Sequence, residues 1–485
     1  MSKILKNIST PLTMVLLSYI LGSLIVENNF RLLTIFFLLP ILLYTTITAS
    51  SKQLIQFILV ATFVPIKINV TSTDLGSISQ YLYFCGFILC YLKAHFLGKK
   101  IYFNTKLLPI LLPLICIGAI STLSLLPNIL LFRSSFWALF LTISLIAFLL
   151  LLDSMEFNND QERTSAVTHL LDLIVLCTCI QILFGILVYY FPYTGNWFKF
   201  FYNVAGDTGL QSEINSDNIV RLRTFSLPAE AVGEFSAMLI PYALYRLTSS
   251  NNPPYILGTH ILLIGVILSG TRSGAVLSLI GIILFYTFVE KNIRIKLSHI
   301  SYAIVIFSIL IIFNIGSTGI ITRFGYAYNA YISGSDIGTI LNRKFLFEGN
   351  WIFFKKTLSL FGNGLISPVS AGFLQLDFHN IYLTIIYQFG IIGAFFYFML
   401  PLSLLLSLFK TLQKHQLQRK LTKVLILSLF IFLINETKFE FTRKHEYISI
   451  IWTLFSIFYL HTKQFSKREN CLRDLKNASP YTHTL

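Results

Sequence analysis

The sequence has 485 residues, of which 55% are hydrophobic and 12% are charged, and its mean hydropathy is +0.72. A soluble domain of this size does not need so much apolar surface, so the composition excludes a soluble globular protein. The net charge of +16 is explained by basic loops beside a membrane, and we expect no nucleic-acid partner.

Apolar stretches near or above membrane-spanning length recur along the chain. They predict an all-α fold, a polytopic transmembrane helical bundle of about 14 spans that forms a single integral membrane domain over residues 1–485. The predicted spans are 10–26, 31–49, 53–68, 75–92, 107–126, 131–152, 169–191, 228–247, 253–270, 273–289, 298–316, 380–409, 423–435 and 447–462.

Lysine and arginine in the short loops predict the orientation. Basic residues accompany the N-terminus, the C-terminal tail and three connections on the same side, at 93–106, 291–296 and 410–423. Both termini are therefore predicted to be cytoplasmic, as an even number of spans requires.

Two connections on the predicted outer side are long, at about 192–227 and 317–378. Long connections are usually functional. The second has partly helical periodicity and contains basic residues that the positive-inside rule disfavours there, among them Arg323 and Arg343, which are secondary site candidates. The inner connections are short and lack a nucleotide-binding motif, so we expect the chemistry on the outer side.

A first group of polar residues lies in RLRTFSLPAEAVGEF, residues 221–235. Arg221 and Arg223 precede a span that begins near a proline, and Glu230 and Glu234 follow on one face of that span. The arginines could bind a phosphorylated lipid headgroup through their planar, permanently charged guanidinium groups. Alternatively, they lie at the interface and pair with the glutamates.

A second group lies in LSGTRSGAVLS, residues 268–278. The apolar stretch around it is long enough for only two short spans, so the turn between them must be tight. Arg272 then begins the tenth span, where free backbone N–H groups and the helix dipole also favour an anion. The alternative is that Arg272 caps the hairpin and reaches lipid headgroups.

A third group is HNIYLTIIYQFGIIG, which begins at His379 and Asn380. On a continuous helix, His379, Gly390 and Gly393 share one stripe, and the glycines allow a neighbouring helix to approach closely. A histidine side chain ordinarily titrates near neutrality, so His379 could act as a general base or bind a phosphate. Asp377 precedes it and is a further candidate.

These three groups, in this order, resemble the O-antigen ligase and polymerase family of bacterial surface-polysaccharide enzymes. The resemblance covers about residues 200–400, and the pattern His379-Asn380 followed by Gly390 and Gly393 is its most specific part. It implies a GT-C-like bundle with a long periplasmic loop at 317–378, in the bacterial inner membrane, with the active side facing the periplasm.

The resemblance also implies a metal-independent, inverting glycosyl transfer with no cofactor. The donor is an oligosaccharide linked to undecaprenyl pyrophosphate, held in the membrane lipid, and a chain-length regulator protein is a candidate partner. On this reading His379 and Glu230 are catalytic, and Arg221, Arg223 and Arg272 bind the pyrophosphate. Asn380 and Asp377 join the loop arginines as secondary candidates. We find no Asp-x-Asp pair that would hold a metal.

The number of spans exceeds that usual for the ligases and favours a repeat-unit polymerase. The alternatives are an O-antigen ligase, which transfers the glycan to the lipid A core, and a lipid-linked oligosaccharide flippase. A flippase is expected to have two pseudo-repeated halves and ionisable residues deep in several spans. A glycosyltransferase of the shape, elongation, division and sporulation family ranks below both, because no matching motif is present.

Overall fold

A computed structural model gives the fold of the chain. It describes residues 50–63, 67–70, 73–77, 146–153, 159–195, 220–224, 227–250, 253–291, 358–362, 381–414, 418–436 and 445–463, with a few shorter stretches and single positions between them. The statements below concern these residues.

The described elements are mainly helical. The helices are α1 (Ser51–Thr62), α2 (Asp160–Tyr190), α3 (Ala229–Ser250), α4 (Pro253–Leu268), α5 (Arg272–Leu284), α6 (Ile381–Lys414), α7 (Arg419–Glu436) and α8 (His445–Thr462). Two short antiparallel pairs accompany them, β1 (Lys67–Val70) with β2 (Thr73–Ser77) and β3 (Glu213–Ile214) with β4 (Val220–Arg221).

Three of the described helices are long and apolar enough to cross a membrane, namely Asp160–Tyr190, Arg272–Val289 and Tyr382–Lys414. Shorter apolar helices occur at Lys52–Thr62, Pro254–Leu268 and Ile450–Thr462. The chain is therefore a helical membrane protein. The predicted spans at 10–26, 31–49, 107–126, 131–152 and 298–316 lie wholly or largely outside the described residues.

The predicted span at 53–68 is wrong as a continuous helix. Its helix, α1, begins with a capping box between Ser50 and Gln53 and ends at Thr62. Twelve residues rise only about 18 Å, less than the hydrocarbon core of a bilayer. Pro65 follows the helix in the sequence, and a proline disfavours helical backbone at the residue before it. The next described residues form β1, and β2 occupies the start of the predicted span at 75–92.

Helix α3 packs against α4, α5 and α7. Its inner side chains, including Phe235 and Met238, are fully buried. Helices α3 and α5 run in parallel, because Gly233 meets Gly274 and Ala237 meets Gly281. Helix α7 begins beside the end of α5 and runs back along it. We call the end where α3 and α5 begin, and where α4 and α7 finish, the site end.

Helix α6 is folded back on itself at Gly390, which has φ 71° and ψ −174°. The ring centroids of Tyr382 and Phe398 are 5.4 Å apart, whereas sixteen residues of straight α-helix span about 24 Å. Ile385 and Phe389, before the break, share a small core with Ala394 and Leu400, after it. The stripe predicted for His379, Gly390 and Gly393 on one continuous helix is therefore wrong.

The tip of this fold is covered by the backbone of residues 358–362. The N–H groups of Ile391 and Ile392 donate to the carbonyls of Ser359 and Leu360, at 3.1 and 3.2 Å. A Cβ on Gly390 would lie 2.2 Å from the Leu360 oxygen. The glycine does permit a close approach, but by an irregular segment rather than a helix. The approach lies at the break in α6, where backbone groups need partners from outside the helix.

The opposite end of the bundle is held by charged side chains. Asp172 on α2 accepts hydrogen bonds from Tyr242 and Arg246 of α3 and from Tyr255 of α4, at 2.8, 2.9 and 3.0 Å. Helix α5 ends in one wide π turn, Phe285–Val289, after which buried Glu290 pairs with Lys420 of α7 at 3.1 Å.

Candidate functional site

A strap of extended chain, residues 221–224, carries the first arginine group into the bundle at the site end. Leu222 is fully buried, and its N–H donates to the Leu268 carbonyl at 2.9 Å. The Thr224 hydroxyl donates to Gln181 of α2 at 3.1 Å. A Cβ on Gly185 of α2 would lie 2.6 Å from the Arg223 carbonyl oxygen. The strap is therefore fixed between α2 and α4 rather than lying on the surface.

Arg221 is buried at the start of this strap, with 3% of its surface exposed. Its Nε donates to the Ser269 carbonyl at 3.0 Å, and its Nη1 donates to Glu230 Oε1 in an ion pair. A buried guanidinium needs such partners for its donors and its charge. Arg221 therefore adopts the second arrangement expected from the sequence, in which an arginine of this group pairs with a glutamate.

The Ser-Gly-Thr turn between α4 and α5 lies next to Arg221. Gly270 adopts φ 64°, a conformation that favours glycine. The hydroxyls of Ser269 and Thr271 are 2.7 Å apart, and Ser269 also donates to the Val266 carbonyl. This confirms the geometry predicted for a tight turn, and Arg272 begins α5 as predicted.

Two glycines allow this turn to pack against the first turns of α3. A Cβ on Gly233 would lie 1.8 Å from Thr271 Oγ1, and one on Gly274 would lie 2.8 Å from the Gly233 carbonyl carbon. Behind this contact Glu234, which is fully buried, accepts a hydrogen bond of 2.7 Å from Ser273. The first two groups of the sequence thus form one hydrogen-bonded unit.

Arg221, Arg223, Glu230 and Arg272 all belong to this unit at the site end. Arg221 is buried, whereas the side chains of Arg223 and Arg272 are half-buried. Guanidinium groups that retain access to the surface can bind an anionic group. The remaining predicted residues, His379, Asn380, Asp377, Arg323 and Arg343, lie outside the described residues.

Helix α6 begins at Ile381, directly after the His379-Asn380 pair in the sequence. The hydroxyl of Tyr382 donates to the Leu433 carbonyl in the last turn of α7 at 2.7 Å. The beginning of α6 is therefore attached to the site end, to which the first two groups also belong.

The sequence interpretation overlooked the last turn of α7. Asn435 and Glu436 are each 1% exposed. Glu436 lines a small cavity together with the aromatic side chains of Tyr382, Tyr397, Phe398, Phe432, Trp452 and Phe455, and with Pro401 and Leu433. The available signal was the pair Asn-Glu at the end of the apolar run LILSLFIFLINE, since polar residues within a span are usually functional.

Within the described ranges, no group of three or more histidine, cysteine, aspartate and glutamate side chains is placed to hold a metal ion. No protein-family model matches this chain, and no curated protein sequence matches it.

Proposed function

We propose that this protein is an O-antigen repeat-unit polymerase, a metal-independent inverting glycosyltransferase. Its donor is an oligosaccharide linked to undecaprenyl pyrophosphate, and its acceptor is a sugar hydroxyl of another lipid-linked repeat unit. One observation supports this proposal most. Arg221 of the strap donates to the Ser269 carbonyl in the Ser-Gly-Thr-Arg-Ser-Gly turn and pairs with Glu230 of α3, so the strap and the turn lie side by side.

In the reaction the acceptor oxygen forms a bond to the anomeric carbon of the donor while the bond from that carbon to the phosphate oxygen breaks. The electron pair remains on the pyrophosphate, which gains charge as it leaves. Cationic groups already in place stabilise this charge most in the transition state. We assign this role to Arg223 and Arg272, whose side chains retain access to the surface.

Arg221 and Glu230 then serve as positioning residues, because their ion pair and the Ser269 contact fix the strap relative to the turn. This revises the catalytic role expected for Glu230, since one of its oxygens is committed to Arg221. His379 is the candidate base that takes the proton of the acceptor hydroxyl, and it precedes the attached start of α6 by two residues in the sequence.

We further propose that the protein lies in the bacterial inner membrane with both termini in the cytoplasm and the site end facing the periplasm. The Lys and Arg distribution supports this orientation, because the opposite end contains Lys410, Lys414, Arg419, Lys420 and Lys423. About 14 spans, a GT-C-like bundle and a chain-length regulator protein as partner belong to the same proposal.

The test is chain growth on lipid-linked repeat units by the purified full-length protein in lipid nanodiscs. We expect Arg272→Ala to lower kcat on the order of 10²–10³-fold, by analogy with the loss of one transition-state donor elsewhere. His379→Gln should also abolish most of the activity. Arg419→Ala, an exposed arginine at the opposite end, is the matched control. Full chain growth by Arg272→Ala would contradict the proposal.

The second enzyme candidate is an O-antigen ligase, which would cap lipid A core in the same assay without chain growth.

A flippase is favoured by one observation, namely that Glu234 and the Asp172–Arg246 pair are ionisable groups within helices. The leaflet on which single, unpolymerised repeat units accumulate distinguishes a flippase from a polymerase. A flippase defect leaves them on the cytoplasmic leaflet, and a polymerase defect leaves them on the periplasmic one.

A further inference from the structure

Asn435 is a buried amide without a hydrogen-bond partner. It is 1% exposed, and neither its Oδ1 nor its Nδ2 has a partner. Buried side-chain amides are nearly always hydrogen-bonded, because an unsatisfied one costs free energy. An amide left in this state in the last turn of a helix indicates a position that is completed by a ligand.

The helical repeat identifies the side of α7 on which Asn435 lies. It follows Ser428 by seven residues and Ile431 by four, so the three share a face. Ser428 donates to the Met238 carbonyl of α3 at 2.8 Å. Ile431 contacts Gly281 of α5, where an added Cβ would lie 2.9 Å from Ile431 Cδ1. Asn435 therefore lies on the face directed at the seam between α3 and α5.

Asn435 also lies toward the site end of that seam. Helix α7 runs from the Lys420–Glu290 pair toward the first turns of α3 and α5, and Asn435 is its penultimate residue. The first turns of α3 and α5 contribute Glu234, which accepts from Ser273. Only one further helical residue follows Asn435, so a ligand reaches it by parting a helix end rather than the centre of the bundle.

The charges around Asn435 select the chemical class of the ligand. Glu234 and Glu436 are both buried carboxylates at this level of the bundle, and they disfavour a phosphate. A neutral hydroxyl can donate to Asn435 Oδ1 and accept from Nδ2.

We propose that Asn435 binds a sugar hydroxyl and forms part of a carbohydrate subsite separate from the pyrophosphate-binding arginines. This rests on the proposed function in one respect, namely that the sugar belongs to the lipid-linked acceptor. The same turn of α7 receives the hydroxyl of Tyr382, which follows His379 by three residues in the sequence. The subsite thereby adjoins the segment that carries the proposed base.

The experiment compares wild-type protein with Asn435→Leu in nanodiscs by thermal unfolding. The probes are undecaprenyl pyrophosphate, the same carrier with its repeat unit extracted from the producing cells, and a panel of neutral mono- and disaccharides. Leucine has the same number and branching of side-chain heavy atoms as asparagine but no polar atoms, so we expect the unliganded variant to unfold at a higher temperature than wild type. It should keep the stabilisation by bare carrier and lose the additional stabilisation by the glycan.

Ser236→Ala is the matched control, because Ser236 Oγ is also buried without a partner but lies two residues from Glu234 and so on another face of α3. It should keep both ligand responses. In the transfer reaction, Asn435→Leu should raise KM for the acceptor at least tenfold with a smaller change in kcat.

An Asn435→Leu variant that keeps the glycan-dependent stabilisation and the acceptor KM would overturn the subsite. If bare carrier fails to stabilise wild type, the proposed function fails instead. In that case the sugar-hydroxyl site would still be supported if a saccharide stabilises wild type but not Asn435→Leu. The site would be overturned if no saccharide stabilises wild type.

Discussion

Arg221 illustrates how one side chain can link two distant parts of the sequence. Its Nε and Nη1 reach different partners, a backbone carbonyl in the α4–α5 turn and a carboxylate on α3. A guanidinium can do this because its donors diverge in a fixed plane, whereas an ammonium presents a single point of charge. Arginine is thus required here for its shape as well as for its charge.

Replacing Arg221 by lysine should therefore destabilise the protein although the charge is kept. We expect the free energy of unfolding to fall by about 1–3 kcal/mol, because one of the two partners, the buried Ser269 carbonyl or the half-buried Glu230, loses its donor. Chemical denaturation of the purified protein in mild detergent measures this. Arg223→Lys is the control, since Arg223 is half-buried and should tolerate the change in stability assays. Equal stability of Arg221→Lys and wild type would argue against the linking role.

At the scale of elements, two close approaches shape the site end. Gly233 admits the Thr271 hydroxyl to the backbone of α3, and Gly390 lets α6 fold back against residues 358–362. The two differ in kind, because Gly233 is required for space alone, while Gly390 is required for both space and a positive φ.

Gly233→Ala should be strongly destabilising, since its Cβ would lie 1.8 Å from Thr271 Oγ1 and 2.5 Å from Ser269 Oγ. We expect a loss of about 3 kcal/mol or more, as for a severe case of overpacking. Gly258→Ala is the control in α4, where the nearest atom is 3.7 Å away, and it should be neutral or slightly stabilising. Thermal unfolding followed by intrinsic fluorescence compares the two variants, and similar melting temperatures would refute the tight contact.

The fold of α6 can be tested by cross-linking. The experiment uses a background in which the six native cysteines are replaced by serine. A short bifunctional maleimide should join cysteines introduced at Tyr382 and Phe398, because these two side chains are in contact. A pair at Tyr382 and Phe409 is the control, since Phe409 lies about three turns further along the second arm. Cross-linking of the control pair alone would indicate a different path for α6.

At the scale of the whole molecule, the two ends of the bundle differ in chemistry. The opposite end is held by the Asp172 cluster and by the Glu290–Lys420 pair, whereas the site end contains two half-buried arginines besides the Arg221–Glu230 pair. The site end is thus the one with cationic groups accessible from the surface, which suits an enzyme that must bind anionic lipid-linked substrates at one face.

The Asp172–Arg246 pair should therefore contribute to stability and not to catalysis. Asp172→Asn and Arg246→Met should each destabilise the protein, and a double-mutant cycle should give a coupling energy of about 1–2 kcal/mol. Below the unfolding temperature, chain growth by the variants should match wild type. A large loss of kcat without a loss of stability would assign this end a part in the reaction.

Much of the helical framework could be predicted from the sequence. The starts of α3, α4, α5 and α8 lie within two residues of their predicted positions, because Pro228, Pro253 and the Ser-Gly-Thr turn interrupt the apolar pattern. The fold of α6 could not be predicted, since both arms share the same apolar composition and one glycine reverses the direction. The burial of Arg221 could not be predicted either, since one of its two partners is the Ser269 carbonyl, forty-eight residues away.

The π turn at the end of α5 has a consequence for the register of the chain. The Glu290 N–H bonds to the Phe285 carbonyl, five residues earlier, so this turn holds one residue more than an α-helical turn. Deleting Thr287 would restore the α-helical count and rotate Glu290 by about 100° relative to α5, away from Lys420. The extra residue therefore sets the direction in which Glu290 leaves the helix toward Lys420, and a one-residue deletion there should be harder to tolerate than any single substitution in the turn.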